Sequence, residues 1–184
     1  MMAGAPSRSP GAAPHAPPPG DEALAIAQRA IEHARAGDAA GLERALDRGL
    51  PSDVCTVTGD SLLMLAAYHG HHDVARLLLA RGADPELRND RGHSPLAGAA
   101  FKGDAAMVDV LVAAGAAVDA AGADGRTALM FAAMFDRVQA LATLLRLGAR
   151  VDLLDRDGRC ALQHADAMGA TRAAARLRGE PPSE

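Results

Sequence analysis

SLLMLAAYHG at 61–70, SPLAGAAFKG at 94–103 and TALMFAAMFD at 127–136 are one pattern written three times. Each copy opens on a hydroxyl residue, carries an apolar run with a pair of alanines, and closes on glycine or, in the third, on Asp136. CALQHADAMG at 160–169 is a more diverged fourth copy. The copies are 33 residues apart, and the spacing continues outside them. Gly59, Gly92, Gly125 and Gly158 keep it, as do Gly49, Gly82, Gly115 and Gly148, and Gly37, Gly70 and Gly103 with a return at Gly169. Leu78, Leu111, Leu144 and Leu177 form another such series, and Leu63, Leu96, Leu129 and Leu162 a further one. Independent series with one common period mark a repeat protein, a reading that precedes any other fold assignment.

The residue types say what each unit builds. Ser61, Ser94 and Thr127 stand where a helix should start, and a hydroxyl there accepts from an unpaired N–H of the first turn. Pro95 follows Ser94 at the first helical position, where its missing N–H costs nothing. The alanine pairs (Ala66-Ala67, Ala99-Ala100, Ala132-Ala133) let neighbouring helices approach closely. Gly70 and Gly103 permit a tight turn, and Asp136 tolerates the left-handed backbone there better than most residues. A second helix follows, with one apolar face from Val74, Leu77 and Leu78 in one unit and Met107, Val110 and Leu111 in the next. Gly82, Gly115 and Gly148 end it as left-handed caps. The spacing therefore predicts stacked helix-turn-helix units.

The units resemble ankyrin repeats, whose period is 33 and whose helix start reads T-P-L-H-x-A. Here that start is Ser61-Leu62-Leu63-Met64-Leu65-Ala66, Ser94-Pro95-Leu96-Ala97-Gly98-Ala99, Thr127-Ala128-Leu129-Met130-Phe131-Ala132 and Cys160-Ala161-Leu162-Gln163-His164-Ala165. The resemblance covers roughly 22–178 and implies an all-α ankyrin-repeat solenoid with projecting loops. The expected division is a Pro/Ala-rich disordered tail at 1–20, a repeat domain at 21–179 and a short tail at 180–184. Within the domain we expect an N-terminal cap at 22–56, repeats at 57–89, 90–122 and 123–155, and a C-terminal cap at 156–179. Terminal units should be polar on the outside, and Arg172, Arg176 and Asp166 supply this in the last. The family's histidine is replaced by Met64, Ala97, Met130 and Gln163, which predicts looser loop anchoring.

What the resemblance implies for function is a partner protein bound on a concave surface of loops and first helices. By register the loop positions are Val57, Thr58 and Asp60; Asp90, Arg91 and His93; Asp124 and Arg126; and Arg156, Asp157 and Arg159. The helical positions are Tyr68, His69, Phe101, Lys102, Met134 and Phe135. Tyr68, Phe101 and Met134 recur at the period and should form a row with Phe135 beside it, and such residues are enriched at binding hot spots. The competing expectation is that they only pack between first helices. The role could be scaffold, adaptor or regulatory subunit, or inhibitor or helper of a partner enzyme.

Composition excludes other classes. Aromatic residues are 2% of a chain that is 49% hydrophobic, so the core is built from Ala, Leu, Val and Met, residues that suit close-packed helices. A net charge of −4 argues against a nucleic-acid binder. No stretch reaches the ~20 apolar residues of a membrane span, and the first residues lack the apolar core of a signal peptide, so a cytoplasmic monomer is expected. Lys102 is the single lysine among 19 basic residues, as a GC-rich coding sequence gives, which points to a bacterial source. Cys55 and Cys160 are expected as free buried thiols. No catalytic motif is present, and the chain is expected not to be an enzyme and to need no cofactor or metal. The best enzyme-like arrangement is Cys160 at a helix start with His164 on the same face. His69, His71 and His72 are poorly spaced for a shared metal, and Asp152, Asp155 and Asp157 lack the Gly and Glu of a calcium loop and read as loop-forming carboxylates.

Overall fold

A computed structural model describes residues 20–180, so the tails expected at 1–20 and 180–184 lie outside the described residues except for Gly20 and Glu180. Among the described residues ten helices pair off in chain order. They are α1 (Asp21–Ala36) with α2 (Ala39–Asp47), α3 (Leu62–His69) with α4 (His72–Ala80), α5 (Pro95–Lys102) with α6 (Ala105–Ala113), α7 (Ala128–Met134) with α8 (Val138–Arg146), and α9 (Ala161–Met168) with α10 (Thr171–Arg178). The first helices of successive pairs pack on one another and so do the second helices, giving the two layers of an all-α solenoid. No strand occurs among the described residues, only an isolated bridge between Cys55 and Ser61.

The local rules act as the residues require. The hydroxyls of Ser61, Ser94 and Thr127 accept from the N–H groups of Met64, Ala97 and Met130 at 3.1, 3.3 and 3.4 Å. Asp136 is the one non-glycine residue with positive φ among those described, at 53°. It also reaches into the next unit, where Oδ1 accepts from Ala173 N at 2.8 Å and Oδ2 from Arg172 Nε at 2.7 Å. The alanine pairs are fully buried, so first helices meet nearly backbone to backbone. Between the two layers Val74, Leu78, Met107, Leu111, Leu141 and Leu144 have no exposed surface.

Backbone and side-chain bonds stitch each unit to the next. Carboxylates at one register, Asp53, Glu86 and Asp119, accept from Asp84 N, Ala117 N and Arg150 N at 2.8–3.0 Å. His71 Nε2 lies 2.8 Å from Arg35 O and Arg137 Nε donates to Phe101 O at 3.0 Å. These bonds satisfy carbonyls that a helix C-terminus leaves without partners.

Looser loops are not observed, because other side chains do the anchoring. Thr56, Asn89 and Asp155 share a register, and each closes its own turn. Thr56 Oγ1 accepts from Thr58 N and Asp60 N, Asn89 Oδ1 from Arg91 N and His93 N, and Asp155 Oδ1 from Asp157 N and Arg159 N. The corresponding residue of the third loop is Gly122, and there Asp124 Oδ1 takes Arg126 N at 2.9 Å instead. Neighbouring loops then join through Asp90 N to Thr58 O, Arg156 N to Asp124 O, and Asn89 Nδ2 to Asp60 Oδ1 at 2.7 Å.

This stacking separates two glycines of one register. Gly92 and Gly158 both have positive φ, 78° and 74°. A Cβ on Gly92 would lie 2.6 Å from Ala123 N, whereas one on Gly158 meets nothing within 4 Å. Gly158→Ala should cost about 1 kcal/mol of left-handed strain, and Gly92→Ala, which must also push a neighbouring loop aside, roughly 2–3 kcal/mol. Urea unfolding of the two variants checks this, and equal losses would mean that the loop stack yields freely.

Candidate functional site

The loops and first helices of the second to fourth units enclose a groove of about 580 Å³, within the size range of built ligand sites. Its floor comes from α3, α5 and α7 through Met64, Leu65, Tyr68, Ala97, Gly98, Phe101, Phe131 and Met134, and its wall from the loops through Asp60, Asn89, Asp90, Arg91, His93 and Arg126. Arg35 and His69 close the side formed by helix C-termini.

Of the residues expected from register, Thr58, Asp60, Tyr68, His69, Asp90, Arg91, His93, Phe101, Arg126, Met134 and Phe135 line this groove. The rings make a continuous contact. Tyr68 stacks on Phe101 at 5.9 Å between centroids, and Phe101 meets Phe135 edge-on at 4.5 Å. Phe101 and Phe135 are half-buried against the core, while Tyr68 keeps 40% of its surface exposed. The row is therefore both packing and surface, and the competing expectation of packing alone accounts for only part of it. Lys102 stands beside the groove with Nζ 4.9 Å from the Tyr68 ring centre.

Six expected residues fall outside the lining, namely Val57, Lys102, Asp124, Arg156, Asp157 and Arg159. Asp124 is turned to its own loop, with Oδ2 3.4 Å from Arg126. Arg156 is exposed beyond the groove's end, its backbone N–H held by Asp124 O. Register reasoning missed Phe131, which meets the His93 ring at 5.1 Å, and Gly98. The period held the signal for both, since Leu65, Gly98 and Phe131 are successive copies of one position.

Charge in the groove departs from that of the chain. Three arginines line it against two aspartates, in a chain of net charge −4. Asp60 already accepts from Thr58 and Asn89, whereas Arg35 and Arg91 form no ion pair among the described residues. Burial lowers the pKa of His69 first, and the charges of nearby His71, Lys102 and Arg35 add to that, so its imidazole resists taking up a proton.

The other chemical arrangements dissolve on inspection. Both cysteines are free, but the expectation that they are buried fails, because Cys55 lies on an exposed loop and Cys160 is half-buried. Burial of its sulfur and the carboxylates of Asp53, Asp60 and Asp90 push the Cys55 thiol up, away from thiolate chemistry. His164 is directed not to Cys160 but to Asp155, with Nε2 2.7 Å from Oδ2 and both side chains buried. Cys160 N–H instead donates to Gln163 Oε1 at 2.8 Å. His71 and His72 go separate ways, to Arg35 O and to the Asp104 carboxylate. Asp152 pairs with Arg150, so the three aspartates do not converge.

A family model described as ankyrin repeats (3 copies) matches residues 28–122 and 96–178. A Pseudomonas aeruginosa protein described as an ankyrin repeat protein is 54% identical over 44 residues, which are 24% of this chain and 26% of that protein. The chain thus matches about a quarter of the length of that curated relative. No described helix is long and apolar enough to cross a membrane.

Proposed function

The chain belongs to the ankyrin-repeat family, and on that premise we propose that it is a non-enzymatic binding module whose concave groove holds a partner protein. Repeats of this family are generally protein–protein interaction modules. The observation that carries the reading is the aromatic row itself. Tyr68, Phe101 and Phe135 touch in sequence along an open groove in a chain with only four aromatic side chains. Rings spent on a surface rather than in the core are what a binding hot spot uses. An adaptor, scaffold or regulatory subunit fits this equally, and a groove laid over a partner enzyme would make it an inhibitor or helper. Nucleic acid and membrane are not partners in this reading. The cytoplasm suits an exposed free thiol at Cys55, and the polar α10 face suits a monomer.

Phe101 is the centre of the row, in contact with both other rings. Phe101→Ala should weaken a partner captured by the wild-type chain by about 2 kcal/mol, roughly thirty-fold in Kd. Titration calorimetry measures it, with circular dichroism to verify the fold. An unchanged Kd with an intact fold would remove the groove from the binding surface.

A further inference from the structure

Gly98 lies in the middle of α5 with no need for glycine in its backbone, since it is not among the residues with positive φ. A helix-interior glycine costs about 1 kcal/mol relative to alanine. Its register mates Leu65 and Phe131 are large and buried. The missing side chain thus leaves a hole in the groove floor between them, and a Cβ there would touch only the flexible Met64 sulfur, at 3.3 Å. Phe101 and Phe131 also line the groove around it. Positive side chains stand on both edges, although on the loop edge Asp60 and Asp90 line the groove beside Arg91 and Arg126. Arg91 is on the loop side, and Arg35 and Lys102 are in the last turns of α1 and α5 on the other. None of these three forms an ion pair among the described residues.

We propose that the groove takes a segment of the partner protein in which one bulky apolar side chain enters the hole over Gly98 and acidic residues on either side meet Arg91, Arg35 and Lys102. This rests on the concave-face reading and gives it a partner chemistry. Size complementarity sets the anchor and charge complementarity sets its flanks. The chain as a whole carries a net charge of −4, so the positive side chains of the groove run against its overall balance.

The full chain is panned against a phage-displayed library of random linear peptides, and enriched peptides are synthesised and titrated by fluorescence anisotropy. The expected peptides carry Leu, Ile, Met or Phe beside Asp or Glu, and lose affinity on Phe101→Ala. Gly98→Leu, which fills the hole, should weaken them roughly thirty-fold. Arg91→Glu should weaken them about tenfold and flatten the fall of affinity with salt. Should Gly98→Leu melt early, replacing the peptide's anchor by alanine makes the same test on the other side. Peptides that need Phe101 yet carry basic or neutral flanks, or that ignore Gly98→Leu and Arg91→Glu together, overturn this proposal and leave the concave-face reading in place. Enrichment with no peptide sensitive to Phe101→Ala overturns both.

Discussion

Asp155→Ala is expected to lower stability by about 3 kcal/mol, because several donors lose one buried carboxylate acceptor at once. The carboxylate is nearly inaccessible and accepts from Asp157 N, Arg159 N and His164 Nε2 at 3.0, 2.9 and 2.7 Å. Alanine would leave a buried imidazole and two turn N–H groups without that acceptor, and each such loss carries a desolvation penalty. Arg126, whose buried Nε has no hydrogen bond and lies 3.6 Å from Oδ2, would lose one of its two countercharges and keep only Asp124, at 3.4 Å. Asp155→Asn should cost only part of this, because the amide oxygen can still close the turn as Asn89 does two units earlier. Both variants should also part company with the wild type in acid. Burial by itself would raise the Asp155 pKa, but the bonds from Arg159, His164 and Asp157 outweigh it and hold the carboxyl below its usual range. Folded protein therefore binds this proton more weakly than unfolded chain. The stability it contributes is complete above the unfolded-state value, near 4, and is lost as pH falls through the lower folded-state value. Urea midpoints at neutral pH and down the acid range measure both effects. A Asp155→Ala midpoint indistinguishable from wild type would mean that the fourth loop stands on its backbone alone.

The sequence shows most clearly what every unit repeats. Helix starts at Ser61, Ser94 and Thr127, left-handed turns at Gly70, Gly103 and Asp136, and buried leucines all follow from local chemistry multiplied by a period. The aromatic row was legible for the same reason. What stayed hidden depends on partners in the neighbouring unit and on residue types that change from copy to copy. Asp53, Glu86 and Asp119 do one job with two side-chain lengths, and Thr56, Asn89 and Asp155 do another with three chemistries. Reading the missing family histidine as looser loops overlooked that a turn can be closed from its first residue. Gly98 was passed over for the opposite reason, since a glycine reads as backbone need until the structure shows an ordinary helix. Cys160 and His164 share a helix face in sequence, but a buried carboxylate from the preceding loop claims the histidine.

Leu111→Ala and Leu177→Ala make the same deletion at the same register and should differ several-fold in cost. Leu111 has no exposed surface and sits in α6, with α4 on one side and α8 on the other. Burial of that kind puts the loss at about 3–4 kcal/mol, part transfer free energy and part unfilled cavity. The surroundings cannot collapse easily, because the paired helix α5, whose Ala99 and Ala100 are fully buried, is already packed between α3 and α7. Leu177 lies in α10, the last of the described helices, packed among the described residues against α7, α8 and α9, and it is partly exposed. There the helix can shift toward the gap, and about 1 kcal/mol is expected. The location of the defect matters beyond its size. In a stack whose units contact only their neighbours, a weak centre lets the two halves melt apart, whereas a weak end only frays. Leu111→Ala should therefore also broaden the urea transition or split it in two, and Leu177→Ala should leave its steepness unchanged. Equal losses with equally steep transitions would mean that the array unfolds as one indivisible block, with no special weight on its middle.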